Sequence, residues 1–125
     1  MNKISITTSS FSQSDNDAID LLKSNGIVYN KNPYGRKLTS TEAIELCKDS
    51  EAIIAGLEDL DPLVETSNEL KFICRLGVGL DNVPFKKCEE KNIKVSYTPD
   101  SVTPAISELT LTLMLSLMRN IVISD

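Results

Sequence analysis

The sequence predicts an α/β fold: a flavodoxin-like, doubly wound parallel sheet of about five strands with a long C-terminal helix. Three observations predict it. Short apolar runs alternate strictly with helical patterns along the chain. The run "AIIAG" is apolar throughout, as a strand covered on both faces by crossover helices must be. No internal repeat or low-complexity linker interrupts the series. Parallel strands need crossover connections, and those crossovers are right-handed.

Each element has a local reason. "KISITT" (Lys3 to Thr8) is β-branched and reads as the first strand. "DNDAIDLLKSNG" sets Ala18, Ile19, Leu21 and Leu22 on one helical face and stops at Gly26. "IVYN" (Ile27 to Asn30) is a short second strand, and "NPYGRKL" a loop. In "TSTEAIELCKDS", Thr39 and Glu42 have capping-box spacing. Ala52 to Gly56 form the third strand, followed by a helix with Asp61 as N-cap and Pro62 next. "KFICRL" is the fourth strand. "NVPFKKCEEKN" is a short helix starting at about Asn82, and Lys94 to Thr98 the fifth strand. A last long helix is capped by Thr103, with Pro104 behind it.

The totals narrow the function. A 125-residue chain with 41% hydrophobic and 25% charged residues builds one core and is not disordered. A net charge of -5 disfavours a broad nucleic-acid footprint. The apolar stretch Leu109 to Met118 is too short to span a bilayer, and the N-terminal residues lack a secretory apolar core. A cytoplasmic location with reduced thiols at Cys47, Cys74 and Cys88 is the expectation. With no histidine, a His base or His-bound zinc is excluded within this chain, and no metal site is expected.

Ligands of doubly wound sheets bind outside the carboxyl ends of the strands. Those ends carry "TSSF", "GLED", "LGVGLDN" and "TPDSVTP". The two glycines of "RLGVGLDN" invite a dinucleotide reading. Asn82, however, stands where a third glycine belongs, and the motif follows the fourth strand instead of the first. Two readings remain open. Gly77 and Gly79 let the chain leave the sheet in a tight turn, or they expose successive N–H groups as a seat for an anion. A flavin or phosphate binder is a competing class, because "TTSSFSQS" places hydroxyls after the first strand. That loop has no glycine, and the chain has few aromatics. A receiver domain fails because Gly56 stands where its phosphoacceptor Asp belongs.

"RLGVGLDNV", the following "TP" and "SELTLTLMLSLMRNI" occur in an order and spacing that resemble the D-isomer-specific 2-hydroxyacid dehydrogenases, phosphoglycerate dehydrogenase-like branch. The likeness is to their amino-terminal substrate-binding domain and covers nearly the whole chain. It implies that residues 1–102 form that domain and 103–125 an interdomain and dimerisation helix. The nucleotide-binding domain, with its GxGxxG loop and catalytic Arg, Glu and His, is not in this sequence. The resemblance further implies that Val78 and Gly79 hold the carboxylate of a small 2-hydroxy or 2-oxo acid. Gly77, Leu57 and Arg75 stand near it, and Val78 and Thr103 border an NAD or NADP held mainly by the other domain. No catalytic residue is expected in this chain, and the piece alone should be inactive; a non-catalytic binding or regulatory domain is the alternative.

Two departures bear on the substrate. The loop after the third strand has Leu57 and Glu58 where an Arg would suit a phosphate, so phosphoglycerate is in doubt unless Arg36, Lys37 or the other domain compensates. Val102 replaces an Asn common in the family. Arg75 reads as a substrate cation or, preferred here, a structural ion-pair partner that ties the two domains together. The last helix carries apolar residues all round, including Ile106, Leu113, Leu117, Val122 and Ile123. One face is expected to pack on the sheet and the rest to join a homodimer.

Overall fold

The computed structural model describes residues 3–121. Five parallel strands form one sheet: β1 (Lys3–Ile6), β2 (Val28–Lys31), β3 (Ala52–Ala55), β4 (Phe72–Arg75) and β5 (Lys94–Tyr97). Their spatial order is β2-β1-β3-β4-β5, the flavodoxin-like order the sequence predicts. The helices are α1 (Asp17–Ser24), α2 (Ser40–Cys47), α3 (Asp61–Thr66), α4 (Phe85–Glu90) and α5 (Thr103–Met118). The chain steps outward from β1 to β2 and then back across to β3, β4 and β5. Right-handed crossovers therefore place α1 on one face and α2, α3 and α4 on the other.

The core lies under α2, α3 and α4. Ile53 and Ile73 point there from the sheet and meet Leu60, Leu63, Val64 and Cys88. Register explains the selection: Ser5 pairs with Ile53 and Ile53 with Ile73, so these alternate positions share a face. Ser5 is the polar exception. Its hydroxyl meets that of Ser50 at 2.7 Å and donates to the Leu46 carbonyl at 2.9 Å. Burial pushes the neighbouring Cys47 thiol up to about 12, so it is a packing group and no nucleophile at neutral pH.

Local signals account for the helix ends with two corrections. Thr39 and Glu42 form the complete capping box. Asp61 and Thr103, expected as caps, are instead the first helical residues, and the cap positions are Leu60 and Val102. At α3 the capping oxygen comes from Asp59, which accepts the Asp61 N–H at 3.0 Å. The short helix also starts later than expected, at Phe85, because a turn from Leu80 to Val83 precedes it.

The last helix overturns an expectation. No residue of α5 is buried, and none of its faces lies on the sheet. Ile106, Leu113 and Leu117 are 57%, 54% and 77% exposed. With apolar residues on every side, no one stripe is favoured for packing. Asp100, at φ 58°, turns the chain away from the sheet just before the helix. On the α1 side, Ile54 and Cys74 consequently remain only half-buried and Phe72 is exposed. Val122 and Ile123 lie outside the described residues.

Thr39→Ala removes one half of the capping box and is expected to cost about 1 kcal/mol in urea unfolding. An unchanged midpoint would show that α2 is held by packing alone.

Candidate functional site

The carboxyl ends of β1, β3 and β4 surround a cavity of about 320 Å³. It opens beside the β1–β3 pair, where the strand order reverses and a crevice is expected. Its walls are residues 7–10 after β1, Lys37 after β2, residues 56–58 after β3, and Arg75 with Leu76 at the end of β4.

Two buried charged side chains stand at this edge, Glu58 at 1% exposure and Arg75 at 4%. Sequence placed Glu58 at the loop tip; the structure turns it inward. One carboxylate oxygen accepts the Gly56 N–H at 2.9 Å and also the Thr7 hydroxyl. Leu57 alone forms the tip, 68% exposed. Gly56 is required here, because a Cβ would stand 2.9 Å from Glu58 Oε2 and 3.0 Å from Thr8 Cβ.

Arg75 makes no ion pair among the described residues. Its Nε donates to Asn82 Oδ1 at 3.4 Å and its Nη1 to the Leu76 carbonyl. Its Nη2 has no hydrogen-bond partner among the described residues. Asn82 completes the frame, donating to the Gly56 carbonyl at 3.1 Å and the Glu58 carbonyl at 2.6 Å. One amide thus ties the loop after β3 to the loop after β4. Sequence spacing flagged Asn82 as a missing third glycine and as the approximate helix start, not as this tie.

The glycines divide the work between them. Gly77 has φ 138°, and a Cβ there would lie 2.6 Å from Arg75 Nη1. Its N–H donates to the Thr98 hydroxyl at 2.8 Å and its carbonyl accepts the Thr98 N–H at 3.2 Å. Gly77 is therefore a turn residue whose amide is already engaged. Gly79 has no positive φ, and a Cβ there would meet nothing within 4 Å. The N–H groups of Val78 and Gly79 make no hydrogen bond among the described residues, and both residues are exposed.

Of the residues singled out from sequence, Leu57 and Arg75 share the cavity wall. Gly77, Val78 and Gly79 follow directly after the wall residue Leu76 in the chain and are not part of the wall. Thr103 is not brought to the cavity; it is exposed at the start of α5, its N–H donating to the Asp100 carbonyl at 3.2 Å. The hydroxyl loop, noted in sequence as one of the strand carboxyl ends and as a rival motif, and Lys37, noted as a compensating charge, prove to be cavity wall. The signal for the hydroxyl loop was its place directly beyond the carboxyl end of β1; Lys37 lies six residues beyond β2. Among the described residues, no group of three or more metal-ligating side chains is arranged to hold an ion. No helix there is long and apolar enough to cross a membrane.

Residues 7–121 match the family described as D-isomer specific 2-hydroxyacid dehydrogenase, catalytic domain. The chain belongs to that family. It is 36% identical over 107 residues to a D-3-phosphoglycerate dehydrogenase of Methanocaldococcus jannaschii, covering 84% of this chain and 20% of that protein. It is 44% identical over 59 residues to a hydroxypyruvate reductase of Thermotoga maritima, covering 47% and 19%. The fold is shared with the TT0316 protein of Thermus thermophilus, with TM-score 0.83, 26% identity, and coverage of 96% and 38%. The NAD+-bound 3-phosphoglycerate dehydrogenase of Entamoeba histolytica superposes with TM-score 0.73 at 24% identity, covering 92% and 38%. The chain thus spans about a fifth of the length of these two curated relatives.

Gly77→Ala is expected to destabilise the chain by more than ~1 kcal/mol, because it combines a positive φ with a collision against Arg75. Gly79→Ala should stay within ~0.5 kcal/mol of the parent. Asn82→Ala, which leaves two carbonyls and a guanidinium N–H unpartnered, should cost about 2 kcal/mol or more. Urea unfolding of the three variants checks the order; equal losses at Gly77 and Gly79 would contradict the division of roles.

Proposed function

We propose that this chain is the substrate-binding domain of an NAD- or NADP-dependent D-2-hydroxyacid dehydrogenase, and that the loop after β4 seats the substrate carboxylate. One observation carries the reading. Val78 and Gly79 are exposed and their N–H groups unpartnered among the described residues, while that of Gly77 beside them is locked to Thr98. Successive free amides at a strand end attract a carboxylate. Arg75 and Leu57 then flank the body of a small 2-hydroxy or 2-oxo acid.

The cofactor supplies hydride chemistry when bound. In this reading a second domain holds it, with Val78 and Thr103 at the border. Hydride transfer also needs a base for the hydroxyl proton, and no histidine is available in this sequence. The 125-residue chain by itself should neither reduce NAD with 2-hydroxy acids nor oxidise NADH with 2-oxo acids. Turnover above the buffer blank that survives Gly79→Ala would overturn this. In the complete dehydrogenase, Gly79→Ala should raise KM for the oxo acid at least about tenfold, or 1.4 kcal/mol. The fold tolerates that methyl, so unchanged kinetics would return the loop to a mere turn.

The exposed α5 supports a homodimer, with a cytoplasmic location the natural setting for its three free thiols. An apolar surface of this extent is larger than a monomer normally leaves in water. Helices from two copies packed together should bury more than ~1,000 Å² in total. Sedimentation at micromolar concentration should show a dimer that Leu113→Glu dissociates. A monomer insensitive to that change would remove α5 from the interface.

A further inference from the structure

Two amides that bind nothing within the chain have to be held in place by their neighbours. On one side of Val78 and Gly79 the ladder ends at Leu76, whose N–H donates to the Ala55 carbonyl at 2.9 Å. On the other side a turn closes from Val83 to Leu80 at 3.0 Å, and Asn82 ties the loop to Gly56 and Glu58. Between Leu76 and the two amides stands Gly77, which has no Cβ to restrict its backbone. Thr98, directly after β5, supplies the restriction. Its hydroxyl accepts the Gly77 N–H at 2.8 Å, its N–H donates to the Gly77 carbonyl at 3.2 Å, and its own carbonyl accepts the Ser101 hydroxyl at 3.2 Å. In a continuing parallel ladder a main-chain carbonyl would take the Gly77 N–H. Here a side chain takes it, which ends the ladder and leaves the Thr98 carbonyl for the turn that leads to α5. Thr98 is itself stiff: Pro99 behind it favours extended backbone, and its branched Cβ restricts χ1.

We propose that Thr98 is a positioning residue for the substrate: by gripping Gly77 through its hydroxyl, it keeps the amides of Val78 and Gly79 in the fixed relation that a carboxylate needs. This rests on the reading that those amides seat the acid. Thr98 acts through Gly77 and is not itself a ligand of the acid. A loop ordered before the acid arrives loses less freedom when it binds, and donors already in place strengthen the hold on charge. Valine has nearly the shape of threonine and cannot accept the Gly77 N–H. Thr98→Val therefore leaves Gly77 one tie, through its carbonyl, where it had two. The loss falls on affinity for the acid, because the ladder of β4 and β5 ends before this contact and stays intact.

The test is amide-resolved NMR of the 125-residue chain, first without ligand and then titrated with pyruvate as the 2-oxo acid. In the parent, pyruvate should shift the Val78 and Gly79 amides. Without ligand, Thr98→Val should speed hydrogen exchange at the Gly77 amide by at least about tenfold. Its Kd for pyruvate should rise at least about fivefold. Thr98→Ser keeps the hydroxyl and should return both values to within about twofold of the parent. Thr98→Ala removes the hydroxyl without adding a methyl and should match Thr98→Val. Ser101→Ala loosens the turn toward α5 and leaves the grip on Gly77, so its Kd should stay within about twofold of the parent. Unchanged Gly77 exchange in both Thr98→Val and Thr98→Ala overturns the proposal. So does an unchanged Kd in those variants while pyruvate still shifts Val78 and Gly79, a loss that Thr98→Ser fails to restore, or an equal loss in Ser101→Ala. Faster Gly77 exchange in Thr98→Val, with Val78 and Gly79 of the parent silent to pyruvate, instead sinks the carboxylate seat and leaves Thr98 an anchor of the loop alone.

Discussion

The carboxyl edge of the sheet depends on the side chain of Asn82. It donates to the carbonyls of Gly56 and Glu58 and accepts from Arg75. Only an amide provides two donors and an acceptor from one planar group. An aspartate there would set negative charge against two carbonyl oxygens. This contact crosses 26 positions of sequence to Gly56, so it couples two loops that local propensity leaves independent. With Asn82 in place the loop after β3 is fixed, Glu58 is held inward, and Arg75 is aligned along the cavity. Gly77 then has to pass the guanidinium with no side chain of its own.

The same frame explains why charge can be buried here at all. Interior strands of a parallel sheet are covered on both faces and leave no room for ions. At their carboxyl ends the ladder stops and backbone groups become available as partners. Glu58 takes one such N–H and Arg75 one such carbonyl. Neither neutralises the other by a direct ion pair among the described residues. Each is held by neutral dipoles, which satisfy hydrogen bonds and leave the charge itself to act on whatever enters the cavity.

Much of the fold was legible because its causes are local. Apolar runs such as "AIIA" and "FIC" mark interior strands, although only the face of Ile53 and Ile73 is closed, and the Thr39–Glu42 spacing is a contact within one helical turn. The strand order followed from alternation and handedness. What stayed hidden was long-range. The inward turn of Glu58 depends on Thr7, 51 positions away, and the role of Asn82 on Gly56. The apparent caps Asp61 and Thr103 failed because a residue type suited to capping also suits a first helical turn, and spacing alone does not separate them. The glycine loop was legible as a break in the sheet. Which amides it leaves free was not, because the answer lies in Thr98, 21 residues further on.

The two faces of the sheet contrast in a way that bears on the site. Under α2, α3 and α4 the packing is closed: Ile53, Ile73, Leu60 and Val64 are essentially inaccessible. α3 is further stapled to α4 by Lys87, 2.7 Å from both Asp61 and Glu65. On the α1 side Ile54 and Cys74 are only half covered, and α5 lies free. Hydrophobic stabilisation scales with area removed from water, so the closed face carries the fold and the open one contributes little until something covers it. The cavity and the loop amides hang from β3 and β4, whose ladder residues Ile53 and Ile73 anchor the closed face. The site geometry is therefore set by the part of the chain that is already complete. Covering α5 and the open face would add buried apolar area without resetting the geometry at the carboxyl edge.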